Sequence, residues 1–169
     1  MDEDRWDLAG DFDSFFRNVF PKAVAVAQRI TGDRGSAEDA AVEALAKAHV
    51  RWKRVGGQSW REAWVCKVAV NEAARRLSRP NLAGPAPSEA DLAEYVAVRQ
   101  TLTAALRQLP RRQCEVIVLR YLLEFSEAEV AAALGVSQGT VKTHLHRGMA
   151  AMRKRLGPTL REEHLADIT

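Results

Sequence analysis

The sequence predicts an all-α protein: two small helical domains joined by a flexible linker, the C-terminal one a helix-turn-helix. Three observations predict this. Apolar residues recur at helical spacing along most of the chain, and β-branched residues never alternate over a strand-length run. The stretch RPNLAGPAPSEAD holds three prolines and one glycine and breaks the chain near its middle. Near the C-terminus, SEAEVAAAL and a basic helical pattern are separated only by the turn Gly135-Val136-Ser137.

Taken in order, residues 12 to 31 carry one helical stripe that Pro21 is expected to split and Gly32 to stop. Ser36, with Asp39 three residues on, is the expected cap of a helix running to about Arg51. VGGQ then breaks the pattern. Ser59-Trp-Arg-Glu62 reads as a capping box opening a helix that Pro80 closes. The linker falls at 80–88, dividing an N-terminal unit (1–79) from a C-terminal unit (89–169). Ser88 and Asp91 offer the next N-terminus, and that helix ends near Leu109, before Pro110. Arg111 to Leu123, Ser126 to Leu134 and 137–156 complete the series.

The 169 residues are 47% hydrophobic and 28% charged, which argues against wholesale disorder. No run is long and apolar enough to span a bilayer, and the start MDEDRWD is not a signal peptide, so a cytoplasmic location is expected. Cys66 and Cys114 read as buried free thiols, with a disulfide as the alternative. No Cys/His cluster has metal-site spacing and no Gly-rich phosphate loop is present, so neither metal, cofactor nor enzymatic activity is expected. The His144 and His146 side chains, two apart on a helix, point away from each other. Net charge is only +3, but it is unevenly spread: residues 1–13 carry six acids against one arginine, whereas 138–156 carry five bases and no acid. That asymmetry points to a polyanion at one end of the chain.

The basic stretch is the more informative. On a helical wheel Val141, Leu145, Met149, Met152 and Leu156 fall within an arc of roughly 80 degrees. The opposite face carries Thr143, Arg147 and Ala150, flanked by Gly139, Thr140 and His146, so small and polar residues surround a cation and permit close approach to a surface. Ser137 can cap the N-terminus, presenting backbone N–H groups to a phosphate. A helix-turn-helix of this kind puts its second helix into the major groove. Arginine there can bond two acceptors of guanine, while lysine and hydroxyls, with Lys142 at the edge, suit phosphates; Arg153 is a further expected DNA-binding residue.

The helix before the linker also has two faces. Trp60, Trp64, Lys67, Val68, Asn71 and Arg75 lie within about 60 degrees of Trp64, and Ala63, Cys66, Val70, Ala73, Ala74 and Leu77 lie opposite. Aromatic faces stack on unpaired bases and cations follow the backbone. Paired tryptophans are also common core residues, so Asn71, Arg75 and Arg76 are the better nucleic-acid candidates. The helix from 36 to 51 starts with Glu38, Asp39 and Glu43 and ends with Lys47 and Arg51. Either dipole compensation or a protein-binding face accounts for it.

These residues resemble a known family. LPRRQCEVIVLRYLLEFSEAEVAAALGVSQGTVKTHLHRGMAAMRKRL, residues 109–156, looks like the C-terminal domain of bacterial RNA polymerase sigma factors of the extracytoplasmic-function (ECF) group of the sigma-70 family. DFDSFFRNVFPKAVAVAQRITGDRGSAEDAAVEALAKAH and SWREAWVCKVAVNEAARRL resemble its N-terminal domain. The resemblance implies a non-enzymatic initiation factor that brings core RNA polymerase to promoters and assists their opening. It implies −35 contacts from Lys142, Thr143, His146 and Arg147. It also implies −10 recognition by Asn71, with an unstacked base held by the loop containing Gln58 and Ser59, and polymerase binding by Glu38, Asp39, Val42 and Glu43. An anti-sigma factor is a possible further partner. The family commonly has Gln where this chain has Val42 and Asp where it has Arg75. A helix-turn-helix regulator that binds duplex DNA without acting as a sigma factor is the alternative.

Overall fold

A computed structural model describes residues 3–77 and 93–157, with side-chain environments for 11–77 and 100–157. Helix α1 (Glu3–Thr31) runs through Pro21 without a break. The expected split does not occur because Pro21 and Arg17 both face solvent, so water can reach the carbonyl that loses its partner, while Val19 and Ala23 on the buried side hold the helix in place. Gly32, at φ 75°, ends it as expected. Helix α2 (Arg34–Val50) is capped by Asp33, whose carboxylate accepts from the Ser36 N–H at 2.7 Å; Ser36 is therefore inside the helix rather than its cap. These hydrogen bonds hold the Asp33 carboxyl below its ordinary range.

A short helix α3 (Trp52–Val55) follows, then the turn containing Gly56 and Gly57. Helix α4 is Arg61–Leu77. The capping box expected at Ser59 does not form, since α4 starts beyond it and Glu62 is drawn to Lys22 at 2.7 Å. Helices α1, α2 and α4 pack together around Phe15, Val19, Val26, Ile30, Leu45, Val65 and Val70. Ala37, Ala40, Ala41, Ala44 and Ala48 of α2 are all fully buried, which lets the helices approach closely. Trp52 closes one end, with ring centroids 4.9 Å from Phe12 and 4.8 Å from Phe15.

In the second unit α5 (Ala93–Arg107) leads through Pro110 into α6 (Arg111–Ile117), which continues as a π-helical turn over Val118–Leu122. The linker expected at 80–88 and the N-terminus expected at Ser88 or Asp91 lie outside the described residues. Helix α7 (Glu127–Leu134) opens on a capping box: the Ser126 hydroxyl accepts from the Glu129 N–H, and the Glu129 carboxylate accepts from the Ser126 N–H at 2.8 Å. Gly135, at φ 67°, makes the left-handed turn into α8 (Gln138–Leu156), capped by Ser137 as expected. Helices α6, α7 and α8 share a core of Val116, Ile117, Leu119, Val130, Leu134, Val141 and Met152. Gly148 is what allows α8 to lie so near α6, because a Cβ there would fall 3.2 Å from Gln113 Cβ and 2.7 Å from Ile117 Cδ1.

The two units are in contact. Helix α4 meets α7 and α6, and α5 meets α1. Among the described residues only helices are found, and no helix among them is long and apolar enough to cross a membrane. Removing one partner of the capping box tests the local logic of α7. Ser126→Ala is expected to cost about 1 kcal/mol, seen as a lower urea midpoint with an unchanged m-value.

Candidate nucleic-acid interface

Helix α8 divides as its periodicity predicts. Val141, Gly148 and Met152 are buried, and Leu145, Met149 and Leu156 are partly buried against the core. Lys142, Thr143, His146, Arg147, Ala150 and Arg153 are exposed. Exposed Ser137 and Gly139 and half-buried Thr140 complete the surface at the N-terminus. The Ser137 hydroxyl lies 2.9 Å from that of Thr140, and the Thr143 hydroxyl donates to the Gly139 carbonyl at 2.9 Å. Thr143 therefore offers a methyl group and an acceptor outward, while Arg147 keeps its donors for a ligand. Lys142 sits at the edge, its ammonium 3.6 Å from Glu127 of α7.

The α4 face is less free than its wheel suggests. Ala63, Cys66, Val70 and Ala73 are buried as expected, but Ala74 and Leu77 are exposed, and Val68 and Glu72 are buried. The reason is that α4 is covered on two sides, by α1 and α2 and by the C-terminal unit. Buried Glu72 went unnoticed in the sequence. It accepts from Lys47 at 2.5 Å and also pairs with Arg75, so Arg75 carries an internal partner. Arg76 reaches Asp39 at 3.2 Å, which ties a candidate −10 residue to a candidate polymerase-binding residue. Asn71 is half buried and its Oδ1 has no hydrogen-bond partner among the described residues. Lys67 donates to the Ala133 carbonyl at 3.4 Å, and burial pushes its pKa down.

The loop before α4 exposes Gln58 and Ser59. Its backbone is held from below by Arg61, which donates to the Gly56 carbonyl at 2.5 Å and lies 5.2 Å from the Phe15 ring centroid. Asp39 and Val42 are exposed on α2, Glu38 and Glu43 are partly so, and Glu43 stands 3.3 Å from Lys47. The C-terminal unit holds a second buried acid that the sequence did not reveal: Glu115 is fully buried and paired at 3.0 Å with both Arg111 and Arg112. Spacing at i,i+4 and i,i+3 was the available signal for that cluster.

A basic helix-turn-helix packed beside a second helical unit defines a DNA-binding protein of two helical units. Comparison with known proteins gives the family. Residues 15–81 match the family model Sigma-70 region 2, and residues 99–152 match Sigma-70, region 4. The RNA polymerase sigma-E factor of Streptomyces coelicolor is 33% identical over 152 residues, covering 86% of each chain. The ECF RNA polymerase sigma factor SigM of Mycobacterium tuberculosis is 30% identical over 163 residues, covering 89% of this chain and 81% of SigM. The sigma factor RpoE of Bartonella quintana, solved in complex with the anti-sigma factor NepR, shares the fold at a TM-score of 0.57 and 22% identity, covering 86% of this chain and 96% of RpoE. The chain belongs to the sigma-70 family, in its ECF group, whose members direct RNA polymerase to promoters. The region 2 match does not favour a regulator that lacks sigma activity.

No group of three or more metal-ligating side chains occurs among the described residues. Cys66 and Cys114 are free and buried, and burial pushes both thiols up to about 12. Neither thiol is therefore expected to react with Ellman's reagent at neutral pH in the folded protein, and both should react in denaturant.

Proposed function

We propose that residues 1–79 bind core RNA polymerase and the −10 element, that 80–88 link the units, and that 89–169 bind the −35 element. In this reading Arg147 reads a base edge in the major groove, with Thr143 and His146 beside it. Ser137, Thr140, Lys142 and Arg153 hold phosphates. The single observation that carries it is the exposed, acid-free outer face of α8, with Thr143, His146 and Arg147 all exposed and the opposite face packed on α6.

On the N-terminal unit, Asn71, with Lys67, Arg75 and Arg76, contacts unpaired −10 bases and their backbone, and Gln58 and Ser59 hold one extruded base. The exposed Gln58–Ser59 loop and the unpartnered Asn71 amide oxygen support these roles. Glu38, Asp39, Val42 and Glu43 form the polymerase-binding face, supported by their surface position on α2. Val42 puts an apolar contact there. The protein acts without catalysis of its own, alongside polymerase in the cytoplasm. An anti-sigma factor is a further candidate partner, a reading supported by fold likeness to the NepR-bound sigma factor.

Reconstitution with core polymerase tests the whole reading. Permanganate-reactive thymines are expected at promoters enriched from a genomic library, and their absence at every such promoter defeats it. Arg147→Ala should lose about 1–3 kcal/mol of specific duplex binding and relax preference at one position. Lys142→Ala should weaken all sequences alike and lower the salt slope by about 1. Two variants that lose affinity with no change in base preference would refute the assignment.

A further inference from the structure

An open cavity of about 710 Å³ receives side chains from α1, α2, α4, α5 and α6. A space of that order suits a small organic ligand. Six cations line it (Lys47, Arg51, Lys67, Arg75, Arg107 and Arg111) against a single carboxylate, Glu72. Glu72 pairs with Lys47 and Arg75, and Glu115 pairs with Arg111. Arg51, Lys67 and Arg107 form no ion pair with a carboxylate among the described residues. They donate to backbone carbonyls instead: Arg51 to Lys47 at 3.4 Å, Lys67 to Ala133 at 3.4 Å, and Arg107 to Ile30 at 2.6 Å and Thr31 at 2.7 Å.

Three cations around one space without a counter-charge leave a positive field and unused donors. Lys67 shows the cost: burial pushes its pKa down, and Arg112 and Arg111 add to the effect while Glu115 opposes it. An anion in the cavity relieves that field, and guanidinium groups suit phosphate oxygens in particular. The remaining lining narrows the ligand further. Trp64, Val68, Leu106 and Leu109 supply an aromatic and apolar wall, and Asn71 lines the same space with a buried Oδ1 that has no hydrogen-bond partner among the described residues. The Lys67 ammonium lies 5.7 Å from the Trp64 ring centroid, so charge and aromatic surface are adjacent. An inorganic anion would use the cations alone. A ligand that uses the whole lining carries phosphates, a flat ring and an N–H donor on that ring.

We propose that this cavity is a binding site for a nucleoside polyphosphate, its phosphates held by Arg51, Lys67 and Arg107, its base set against Trp64 and Leu109, and a base N–H donated to Asn71 Oδ1. Lys67 and Asn71 are shared with the −10 contacts proposed above, whereas Arg51 and Arg107 belong to none of the DNA or polymerase assignments. Those two arginines therefore separate a mononucleotide site from a DNA surface, and the site does not depend on the −10 reading.

Isothermal titration calorimetry of the full chain with ATP and with GTP, in EDTA at fixed ionic strength, reads the site directly. A one-to-one complex is expected with at least one of them. It should be about tenfold tighter than that with inorganic tripolyphosphate, because contact with the base adds to the phosphate contacts. Arg51→Gln and Arg107→Gln should each weaken nucleotide binding about tenfold, and Asn71→Ala should bring it toward the tripolyphosphate value. Lys154→Gln, which removes an exposed cation of α8 outside the cavity, should change nothing. Far-UV circular dichroism checks that every variant folds, and if Arg107→Gln does not, Arg51→Gln decides. The proposal is overturned if neither nucleotide binds, if tripolyphosphate binds as tightly as the nucleotides, or if the folded arginine variants bind as the parent does. Each of those results leaves the −10 assignment standing, since promoter opening tests it separately.

Discussion

The close approach of α4 to α1 and α2 is the constraint on which the remaining architecture depends. It exists because the contact is rich in small side chains: the buried alanines of α2 and Ala63, Cys66, Ala69 and Ala73 of α4 belong to one core where the two helices meet. Small residues permit near contact of the backbones, but each buries little apolar area, so a three-helix unit made this way has a thin core. Its central helix still has apolar surface to cover on the far side, at Val68 and the ring of Trp64. Helices α6 and α7 supply that cover. Domain contact is thus a consequence of how the first unit is packed.

How much of this was legible in the sequence depends on whether the deciding contact was local. The two sides of α8, its Ser137 cap and the Gly135 turn were readable because each is settled within a few residues. The continuity of α1 was not, since Pro21 breaks a helix by local rules and is tolerated only because its solvent side can be hydrated and its buried side is held by other helices. Asp33 and Ser36 are both good caps three residues apart, and propensity could not choose between them. The wheel of α4 correctly found two faces but could not say that the basic, aromatic one would meet another part of the chain. Ala74 and Leu77 stay exposed despite being on the apolar side, because they line an open cavity with Ile30 of α1 and Lys47 of α2 rather than packing into the core. The chain's place in the ECF group was readable from the 109–156 motif and its upstream partner, whereas Glu72 and Glu115 went unread because a carboxylate's burial is decided by partners elsewhere.

Those two acids change how the positive charge should be counted. Glu72 draws in Lys47 and Arg75, and Glu115 draws in Arg111 and Arg112. A buried carboxylate in this setting is tolerated because it is paired, and pairing of this kind is weak evidence for stability. Four cations are thereby paired with buried carboxylates, although Arg75, Arg111 and Arg112 keep much of their side chains exposed. The field that a DNA duplex meets comes chiefly from α8, where acids are absent.

Gly148 gives α8 a rigid seat against α6, and the residues that fix that seat all lie on the inner side of the helix. Of the outer positions, Lys142 and Arg155 reach Glu127 and Gln108, whereas His146 and Arg147 make no hydrogen bond or ion pair to the rest of the protein among the described residues. His146 and Arg147 can therefore be exchanged for other amino acids at little thermodynamic penalty, and, given the role proposed for them, the same mounted helix would acquire a new promoter preference by surface substitution alone. Divergence of target sites between related proteins then needs no redesign of the scaffold, only a change of the lettering it carries.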